Sequence, residues 1–459
     1  MLQQSVTEEI KTQGDQVMAG ILKAYDIRGI FPEQLNEATA EKIGRAIVTY
    51  RKAGKVVIGR DMRPHSVPLF HALVKGITEQ GADVIDLGLC STPMCYHANG
   101  KLKADASVMI TASHNPAEWN GFKICRADAV PLSGKSGIGE IEELVHRDQW
   151  EKAARTGSVS SFNIADEYAK FLRSHSKVDR KLKVVVDYAN AMGSYEIAGI
   201  EDLFDIVPLY KNLDGTFPNH EANPLKQDTL TAIRAKVKEV GADFGAAFDG
   251  DADRCGFIDD KGEVIQMDLF TALIAQDILS ENKTGAKIPI MYDLRSSWSV
   301  KECIAENGGQ PIMSRVGHAF IKAQMRETGA VFAGELSGHY YFKENFTAES
   351  QGLAMIKLAN LICAKKRPVS ELVAPLRKYY ASGEINSKVA DVKPILEQIR
   401  KKYADGNLFE LDGISSEYAD WWFNVRASNT EPLLRLIVEA KTPEKMAAKR
   451  DELLKLIRG

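Results

Sequence analysis

The chain has 459 residues, of which 44% are hydrophobic and 26% charged, and its formal net charge at pH 7 is −3. This length predicts two to four domains, and the composition is typical of a folded globular protein. The slight negative charge argues against a nucleic-acid-binding protein. No apolar stretch reaches transmembrane length, so no membrane association is expected.

The cysteines and the amino terminus indicate the compartment. The six cysteines are scattered and form no CxxC pair, which is typical of reduced thiols rather than of a disulfide framework or a zinc site. The first residues, MLQQSVTEEIKTQGDQ, contain no apolar segment and carry early acidic residues, so they are not predicted to be a secretory or transit signal. A cytoplasmic protein is therefore expected.

Segments typical of strands and helices alternate along most of the chain. The strand KVVIGRD is followed by the amphipathic segment SVPLFHALVKGITEQGA and by the strands DVIDLGL and SVMITAS. A similar order returns with KVVVDYANAMGS and with PIMYDLRSSWS, and the first strand of each group ends in an aspartate: Asp61, Asp187 and Asp293. This alternation predicts an α/β fold with three related mixed α/β domains.

The pattern changes in the last part of the chain. After ASGEIN, two adjacent strands are followed by a final helix that Thr442 is predicted to cap and that is expected to end near Ile457, which indicates a smaller C-terminal α+β domain. Polar stretches that contain glycine or serine separate these regions. The four predicted domains span residues 1–159, 160–261, 262–375 and 376–459.

The segment DFGAAFDGDADRCGFID places Asp249, Asp251 and Asp253 directly after an apolar strand. Three carboxylates in so short a loop repel one another unless a cation lies between them, and such hard oxygen ligands suit Mg²⁺. An EF-hand is excluded because Arg254 stands where its glycine is required. From this segment alone, a solvated acidic turn remains an alternative.

The loop ITASHNPAEWNGFK follows the apolar strand ASVMI and contains Ser113, His114 and Lys123. Such a loop can deliver side chains to a site at the edge of a sheet. A serine hydrolase dyad with His114 is not favoured, because side chains adjacent in sequence rarely point at each other and no GxSxG motif is present. A phosphorylated Ser113 would carry nearly two negative charges and could complete a Mg²⁺ site, whereas the alternative role is a helix cap or turn.

Three further polar loops could bind a small ligand, although each could also be a solvated turn. In GELSGHYYF, Glu335 and Ser337 could bind vicinal hydroxyls, and His339 could transfer a proton near neutral pH. RASNTEP suits phosphate because it combines a guanidinium with hydroxyl and amide donors. Its residues are Arg426, Ser428, Asn429 and Thr430. The segment LKAYDIRGIF offers Lys23, Tyr25 and Arg28.

Taken in order, TASHNP, DGDADR, GELSGH and RASNTEP resemble the motifs of the α-D-phosphohexomutase superfamily, specifically its phosphomannomutase/phosphoglucomutase branch. The resemblance runs from AYDIRG to the C-terminal domain and so covers nearly the whole chain. It implies four domains around a central cleft, of which the first three share a topology and the fourth closes over the substrate.

The resemblance also implies roles for individual residues. Those implied to be catalytic are Ser113, as the phosphorylated serine, Lys123, Arg28 and His339. Those implied to bind one Mg²⁺ ion per chain are Ser113, Asp249, Asp251 and Asp253. Those implied to bind substrate are Lys23, Tyr25, Arg254, His318, Glu335, Ser337, Arg426, Ser428, Asn429 and Thr430. Lys123 and His339 both remain candidates for the general base.

The predicted reaction interconverts a hexose 1-phosphate and a hexose 6-phosphate through a phosphoserine enzyme and a hexose 1,6-bisphosphate, which also serves as activator. Small-molecule hexose phosphates are the expected partners, and the protein is expected to be a monomer or a weak homodimer. Leu336 stands where phosphoglucosamine mutases commonly have glutamine, which disfavours an amino sugar, and Lys23 stands where many relatives have arginine. Mannose and glucose are not distinguished. A sugar-phosphate phosphatase and a non-catalytic sugar-phosphate-binding protein are the alternatives.

Overall fold

The computed structural model of the protein describes residues 20–22, 26–134, 136–427 and 433–459. The chain forms two compact units, the first made of Met1–Val264 and Ser337–Val369 and the second of Ile265–Leu336 and Ser370–Gly459. Strands alternate with helices in both units, which confirms the predicted α/β class. None of the described helices combines the length and hydropathy that crossing a membrane requires.

The first unit contains a mixed seven-stranded sheet whose middle strands are parallel. Six strands follow in the spatial order Ile27–Ile30, Trp119–Arg126, Ala106–Ile110, Lys55–Arg60, Asp83–Leu89 and Val159–Ser161, and the seventh, Val130–Pro131, pairs with Trp119–Arg126. The accompanying helices are Glu37–Arg51, Ser66–Glu79, Thr92–Lys101 and Ile138–Arg147, with a 3₁₀ helix at Ala127–Ala129. Ile43 and Ile47 in one helix, and Leu69 and Leu73 in the next, are spaced four residues apart and lie in the buried core of this sheet.

A second sheet of the first unit lies further along the chain. Four of its strands are, in spatial order, Cys255–Ile258, Phe244–Phe248, Leu182–Asp187 and Phe204–Leu209. The short strand Val264–Ile265 follows in the chain and contains the boundary between the two units. Its helices are Ile164–Ser174, Gly193–Glu196 and Thr231–Val240, with a 3₁₀ helix at Ala198–Leu203. The unit ends with the antiparallel strands Tyr340–Phe342 and Ala348–Glu349, a 3₁₀ helix at Lys343–Asn345 and the helix Gln351–Lys365.

The second unit combines a parallel and an antiparallel arrangement. The parallel strands are Gln310–Ser314, Pro289–Asp293 and Phe332–Gly334, and their helices are Met267–Ser280, Trp298–Glu306 and His318–Thr328. The antiparallel sheet has the order Tyr380–Ala381, Leu433–Ala440, Trp421–Ala427, Ile414–Glu417 and Asn407–Phe409, and Ile385–Lys388 pairs with Leu433–Ala440. Its remaining helices are Val369–Val373, Val392–Lys402 and Pro443–Arg458, with a 3₁₀ helix at Ala374–Leu376.

The end of the last helix and its cap agree with the sequence. The Thr442 side chain accepts a hydrogen bond from the backbone N–H of Lys445, as an N-cap residue does. The helix ends at Arg458, one residue beyond the predicted Ile457.

Two strands of the first unit carry the loops that matter most for function. Ala106–Ile110 and Phe244–Phe248 are buried along their whole length, which is why each is a continuous apolar run. Ser113 follows the first strand and Asp249 the second. Because the polar residues begin where the strands end, their side chains collect at the carboxyl edges of the two sheets.

Candidate active site

Ser113 meets the aspartate-containing loop within the first unit. It is buried and has a left-handed backbone, with φ of 53°. Its backbone N–H donates to Thr111 Oγ1 at 2.8 Å. Its hydroxyl donates to Asp249 Oδ2 at 2.8 Å and accepts from Arg254 Nη2 at 2.9 Å. The structure thus joins the serine loop, residues 111–117, to the aspartate loop, residues 249–253, as both motifs together suggested.

His114 lies closer to the serine than the sequence predicts. Its Nδ1 is 3.3 Å from Ser113 Oγ, so the expectation that these adjacent side chains point apart is wrong here, because the left-handed turn at Ser113 brings them together. Arg254 Nη2 also contacts His114 Nδ1. Burial, followed by the positive charges of Arg254 and Arg28, lowers the pKa of His114 well below its ordinary value. The imidazole is therefore neutral, and its Nδ1 accepts from Arg254 instead of taking a proton from the serine.

Arg63 supports the serine loop and was not singled out from the sequence. It is fully buried, and its Nε donates to Asp61 Oδ2 at 3.2 Å. Its terminal nitrogen atoms donate to the backbone oxygen atoms of four residues of the serine loop, Ser113 at 2.9 Å, Asn115 at 2.7 Å, Pro116 at 2.6 Å and Ala117 at 3.5 Å, and to that of Trp119, just beyond the loop, at 3.0 Å. The only signal in the sequence was the strand-ending Asp61 two residues earlier.

The three aspartates of the aspartate loop are buried, and one oxygen from each lies within 4.8 Å of the others. Burial, together with the charges of Asp253 and Asp251, raises the pKa of Asp249. Asp251 Oδ1 and Asp253 Oδ1 are buried and accept no hydrogen bond from any residue that the structure describes. A buried acceptor without a donor is costly, and a divalent cation would satisfy both atoms. The loop therefore could hold a metal ion.

Gly250 allows the two loops to approach. A Cβ atom at this position would lie 2.2 Å from the backbone oxygen of Ser113, far closer than real contacts permit. Glycine is thus required by close approach of the serine loop. This explains why a glycine stands between Asp249 and Asp251.

Two cations predicted from the sequence lie beside these loops. Lys123 Nζ donates to Asp251 Oδ2 at 2.6 Å and also contacts Asp253. Burial alone would lower the pKa of Lys123, but the Asp251 and Asp253 charges more than offset it, so the pKa is raised. Arg28 Nη1 donates to Asn115 Oδ1 at 2.8 Å. Lys123 is therefore held as a cation, and Arg28 is attached to the serine loop.

His339 lies near the aspartate loop in the same unit. Its Nδ1 is 3.8 Å from Asp253 Oδ1 and 3.8 Å from Glu349 Oε1. Ser337 belongs to the same loop, and the backbone oxygen of Gly338 accepts from Cys255 N at 3.1 Å. The sequence predicted His339 but not Glu349, which lies in a short strand without a motif.

The second unit contains the other described residues that the resemblance implied. His318 begins the helix His318–Thr328, and Oε1 of the buried Glu335 accepts from Gly317 N at 3.1 Å. Arg426 Nη2 donates to Glu384 Oε2 at 2.6 Å. Glu384 also binds Arg435 at 3.2 Å and lies 3.6 Å from Arg295, and neither Glu384 nor Arg295 was predicted. Lys23, Tyr25, Ser428, Asn429 and Thr430 lie outside the described residues.

A buried serine beside three carboxylates and two cations, at the strand ends of an α/β protein, defines an enzyme of phosphoryl transfer. A comparison of the sequence with models of known protein families identifies the enzyme further. The chain belongs to the phosphoglucomutase/phosphomannomutase family: the models for its α/β/α domains I, II and III match residues 19–152, 166–262 and 266–379, and the model for its C-terminal domain matches residues 384–456. The predicted resemblance is confirmed, as is the class of three α/β domains followed by a smaller C-terminal domain.

Individual relatives agree with this assignment over almost the full length. A phosphomannomutase from Escherichia coli is 39% identical over 456 residues, which cover 95% of this chain and 98% of the relative. One from Methanocaldococcus jannaschii is 42% identical over 447 residues, or 95% and 97% of the two chains. The X-ray structure of a phosphoglucomutase/phosphomannomutase family protein from Burkholderia thailandensis matches with a TM-score of 0.88 and 31% identity over 97% of each chain. The protein is thus a phosphohexomutase, an isomerase that transfers a phosphoryl group.

Proposed function

We propose that the protein interconverts hexose 1-phosphates and hexose 6-phosphates through a phosphorylated Ser113. The observation that carries this proposal is the position of the Ser113 hydroxyl, which donates to Asp249 and accepts from Arg254. A phosphoryl group on that oxygen would meet the aspartate loop and a guanidinium at once, which is the charge arrangement that phosphoryl transfer requires. Mannose phosphate is the main substrate proposed, because both curated relatives described above are phosphomannomutases. Glucose phosphate is the second.

The aspartate loop is proposed to hold one Mg²⁺ ion per chain, together with an oxygen of the phosphorylated Ser113. The buried oxygen atoms Asp251 Oδ1 and Asp253 Oδ1 support this role, because Mg²⁺ prefers such hard oxygen ligands. When bound, the ion neutralises negative charge on the phosphoryl group. Lys123 and Arg28 are positioned to add positive charge beside the same loops.

Phosphoryl transfer then follows from the groups around Ser113. The attacking sugar hydroxyl forms a bond to phosphorus while the bond from phosphorus to Ser113 Oγ breaks. Arg254 donates to Oγ and so stabilises the charge that develops on the leaving oxygen. The proton of the sugar hydroxyl is assigned to His339 rather than to Lys123, because the two neighbouring carboxylates hold Lys123 as a cation.

The product of this transfer is a hexose 1,6-bisphosphate, which is also proposed as the activator that phosphorylates Ser113. It must turn so that its other phosphate faces Ser113, and the residues that bind it must accept both orientations. Those proposed for the phosphate that is not reacting are Arg426, Ser428, Asn429 and Thr430. Those proposed for the sugar and the remaining contacts are Lys23, Tyr25, His318, Glu335 and Ser337. A cytoplasmic monomer or weak homodimer is proposed as the working form.

The experiment that tests this function is ³¹P NMR of the purified protein with Mg²⁺, a trace of hexose 1,6-bisphosphate, and mannose 1-phosphate or glucose 1-phosphate. A growing 6-phosphate resonance is expected, faster with the mannose substrate. The matched control is Ser113→Ala, which removes the acceptor oxygen and should leave no turnover above background.

The other outcomes would overturn parts of the proposal. Release of inorganic phosphate in place of the 6-phosphate would indicate a phosphatase. An unchanged spectrum would indicate a protein that binds sugar phosphates without turning them over. Full turnover by the Ser113→Ala variant would exclude Ser113 as the phosphoryl carrier.

A further inference from the structure

A buried carboxylate that takes no part in the steps above lies where three elements of the first unit meet. Glu196 ends the short helix Gly193–Glu196 and is 1% exposed. Its Oε2 accepts from Ser91 Oγ at 2.5 Å, and its Oε1 accepts from Tyr168 Oη at 2.8 Å and from Gly352 N at 2.8 Å. These three donors are neutral groups. The carboxylate is thus stabilised by hydrogen bonds and by the amino-terminal end of the helix that contains Gly352.

One of these donors is adjacent to a residue that holds the aspartate loop. Ser91 is the N-cap of the helix Thr92–Lys101 and also accepts from Met94 N at 3.2 Å. The next residue, Thr92, donates from Oγ1 to Asp251 Oδ2 at 2.5 Å and from its backbone N–H to Asp251 O at 2.9 Å. Fixing Ser91 therefore also fixes both hydrogen bonds that Thr92 makes to Asp251.

The same arrangement occurs at a second donor. Gly352 lies in the first turn of the helix Gln351–Lys365, whose N-cap is Ser350. The residue before Gly352, Gln351, donates from Nε2 to the backbone oxygen of Asp253 at 2.7 Å. The hydrogen bond from Gly352 to Glu196 therefore fixes the helix end that holds Asp253.

We propose that ionised Glu196 is a positioning residue for the cation site of the aspartate loop. It touches none of the three aspartates, and it acts by joining the first turns of the two helices that hold Asp251 and Asp253. A side chain needed only for packing would not have to be a carboxylate at a site buried on all sides. The inference rests on the proposed cation site and is independent of which sugar is the substrate.

The ionisation of Glu196 supports a pH-dependent role. Burial raises its pKa to about 7, although the hydrogen bonds from Ser91, Gly352 and Tyr168 limit the rise. The other titratable groups that face it are the Tyr168 hydroxyl and the thiols of Cys90 and Cys255, and burial raises the pKa of each of these three groups. They therefore stay protonated near neutral pH, and Glu196 is the group of this cluster whose charge changes there.

The test is a titration of the purified full-length protein with Mn²⁺, which replaces Mg²⁺ and whose free concentration is followed by electron paramagnetic resonance. In Glu196→Gln the new amide cannot accept from all three donors, so Mn²⁺ affinity at about pH 8 is expected to fall roughly tenfold. At about pH 6 the wild-type carboxyl is protonated and resembles the amide, so the ratio of the two affinities is expected to approach one.

Two further variants separate positioning from general damage. The matched control is Glu201→Gln. Glu201 also accepts a hydrogen bond from a tyrosine, from Tyr188 Oη at 2.7 Å, but it does not contact the aspartate loop. This variant should therefore bind Mn²⁺ as the wild type does. Tyr168→Phe removes one donor and keeps the carboxylate, so the pH at which affinity is lost should move upward. This variant provides the test if Glu196→Gln does not fold.

The outcomes distinguish this inference from the proposed function. Equal Mn²⁺ affinity of the wild type and Glu196→Gln at about pH 8, with both proteins folded, would overturn the role of Glu196 alone. For Tyr168→Phe, an unchanged pH dependence would do the same. A wild-type protein that binds no Mn²⁺ would overturn the proposed cation site and this inference with it.

Discussion

The guanidinium of Arg63 donates a hydrogen bond to the backbone oxygen of Ser113 across 2.9 Å. Ser113 has φ of 53°, and the left-handed region costs about 1 kcal/mol or more for a residue that is not glycine. Arg63 offsets this cost, because the same side chain binds the backbone oxygen atoms of Asn115 and Pro116 as well. A buried arginine thus stabilises the conformation that turns the Ser113 hydroxyl towards Asp249.

Arg63→Lys should therefore damage both the loop and the reaction. One ammonium group cannot replace the planar fork that reaches several carbonyl groups, so buried acceptors lose their donors. We expect the free energy of unfolding to fall by about 2–4 kcal/mol and kcat to fall at least about tenfold, with a smaller change in KM. Urea unfolding and steady-state turnover measure the two effects.

Arg45→Lys is the matched control for this prediction. Arg45 pairs with Glu41 at 3.1 Å on the surface of a helix, so the same substitution should change stability by less than about 1 kcal/mol. If both variants lose the same stability and activity, Arg63 has no special role in the serine loop.

The parts of the site that the sequence predicts well are those encoded in one short segment. The aspartate loop places three carboxylates within five residues after an apolar strand, so its acidity and its position at a sheet edge follow from the local pattern. Thr442 as a helix cap is predictable for the same reason. Each depends on residues that are neighbours in the chain.

The parts that could not be predicted depend on contacts between distant residues. Arg63 and Ser113 are separated by 50 positions, and Ser91 and Glu196 by 105. A buried arginine or glutamate looks like any charged residue until the fold shows what surrounds it. The contact of His114 with Ser113 was missed for a different reason, because a single left-handed residue reverses the ordinary direction of adjacent side chains.

The ion pair between His220 and Asp187 gives a prediction for stability against pH. Nε2 of His220 lies 3.0 Å from Asp187 Oδ2, and this hydrogen bond raises the pKa of His220 above its ordinary value of 6.5. Because the folded pKa is the higher one, the stabilisation is complete below the ordinary pKa and is lost as the pH rises through the folded pKa.

His220→Gln should therefore cost more stability at low pH than at high pH. We expect the substitution to lower the free energy of unfolding by about 1 kcal/mol more at about pH 5.5 than at about pH 9, as measured by urea unfolding of the wild type and the variant. His71→Gln, at an exposed position, is the control and should show no such difference. An equal loss at both pH values would mean that the pair does not stabilise the folded state through charge.

Arg426→Lys tests the proposed phosphate contact of the second unit. The lysine keeps the charge beside Glu384 but loses the two-pronged geometry that matches a phosphate group. We expect KM for the hexose phosphate to rise roughly tenfold, with a smaller effect on kcat. Arg458→Lys is the control, since Arg458 binds Ser387 at 3.0 Å in the same unit and should leave KM unchanged. An unchanged KM for Arg426→Lys would count against this contact.

Asp251→Asn tests the cation site most directly. The amide has nearly the same size and can still accept from Thr92 Oγ1, so the fold should survive, but one of three negative charges is removed. We expect Mn²⁺ affinity and turnover to fall together by at least about tenfold, with little change in the urea midpoint. Asp205→Asn, at an exposed position in the strand Phe204–Leu209, is the control and should behave as the wild type does. If Asp251→Asn binds Mn²⁺ normally but is inactive, Asp251 acts through Lys123 rather than through the cation, because Lys123 Nζ donates to the same carboxylate.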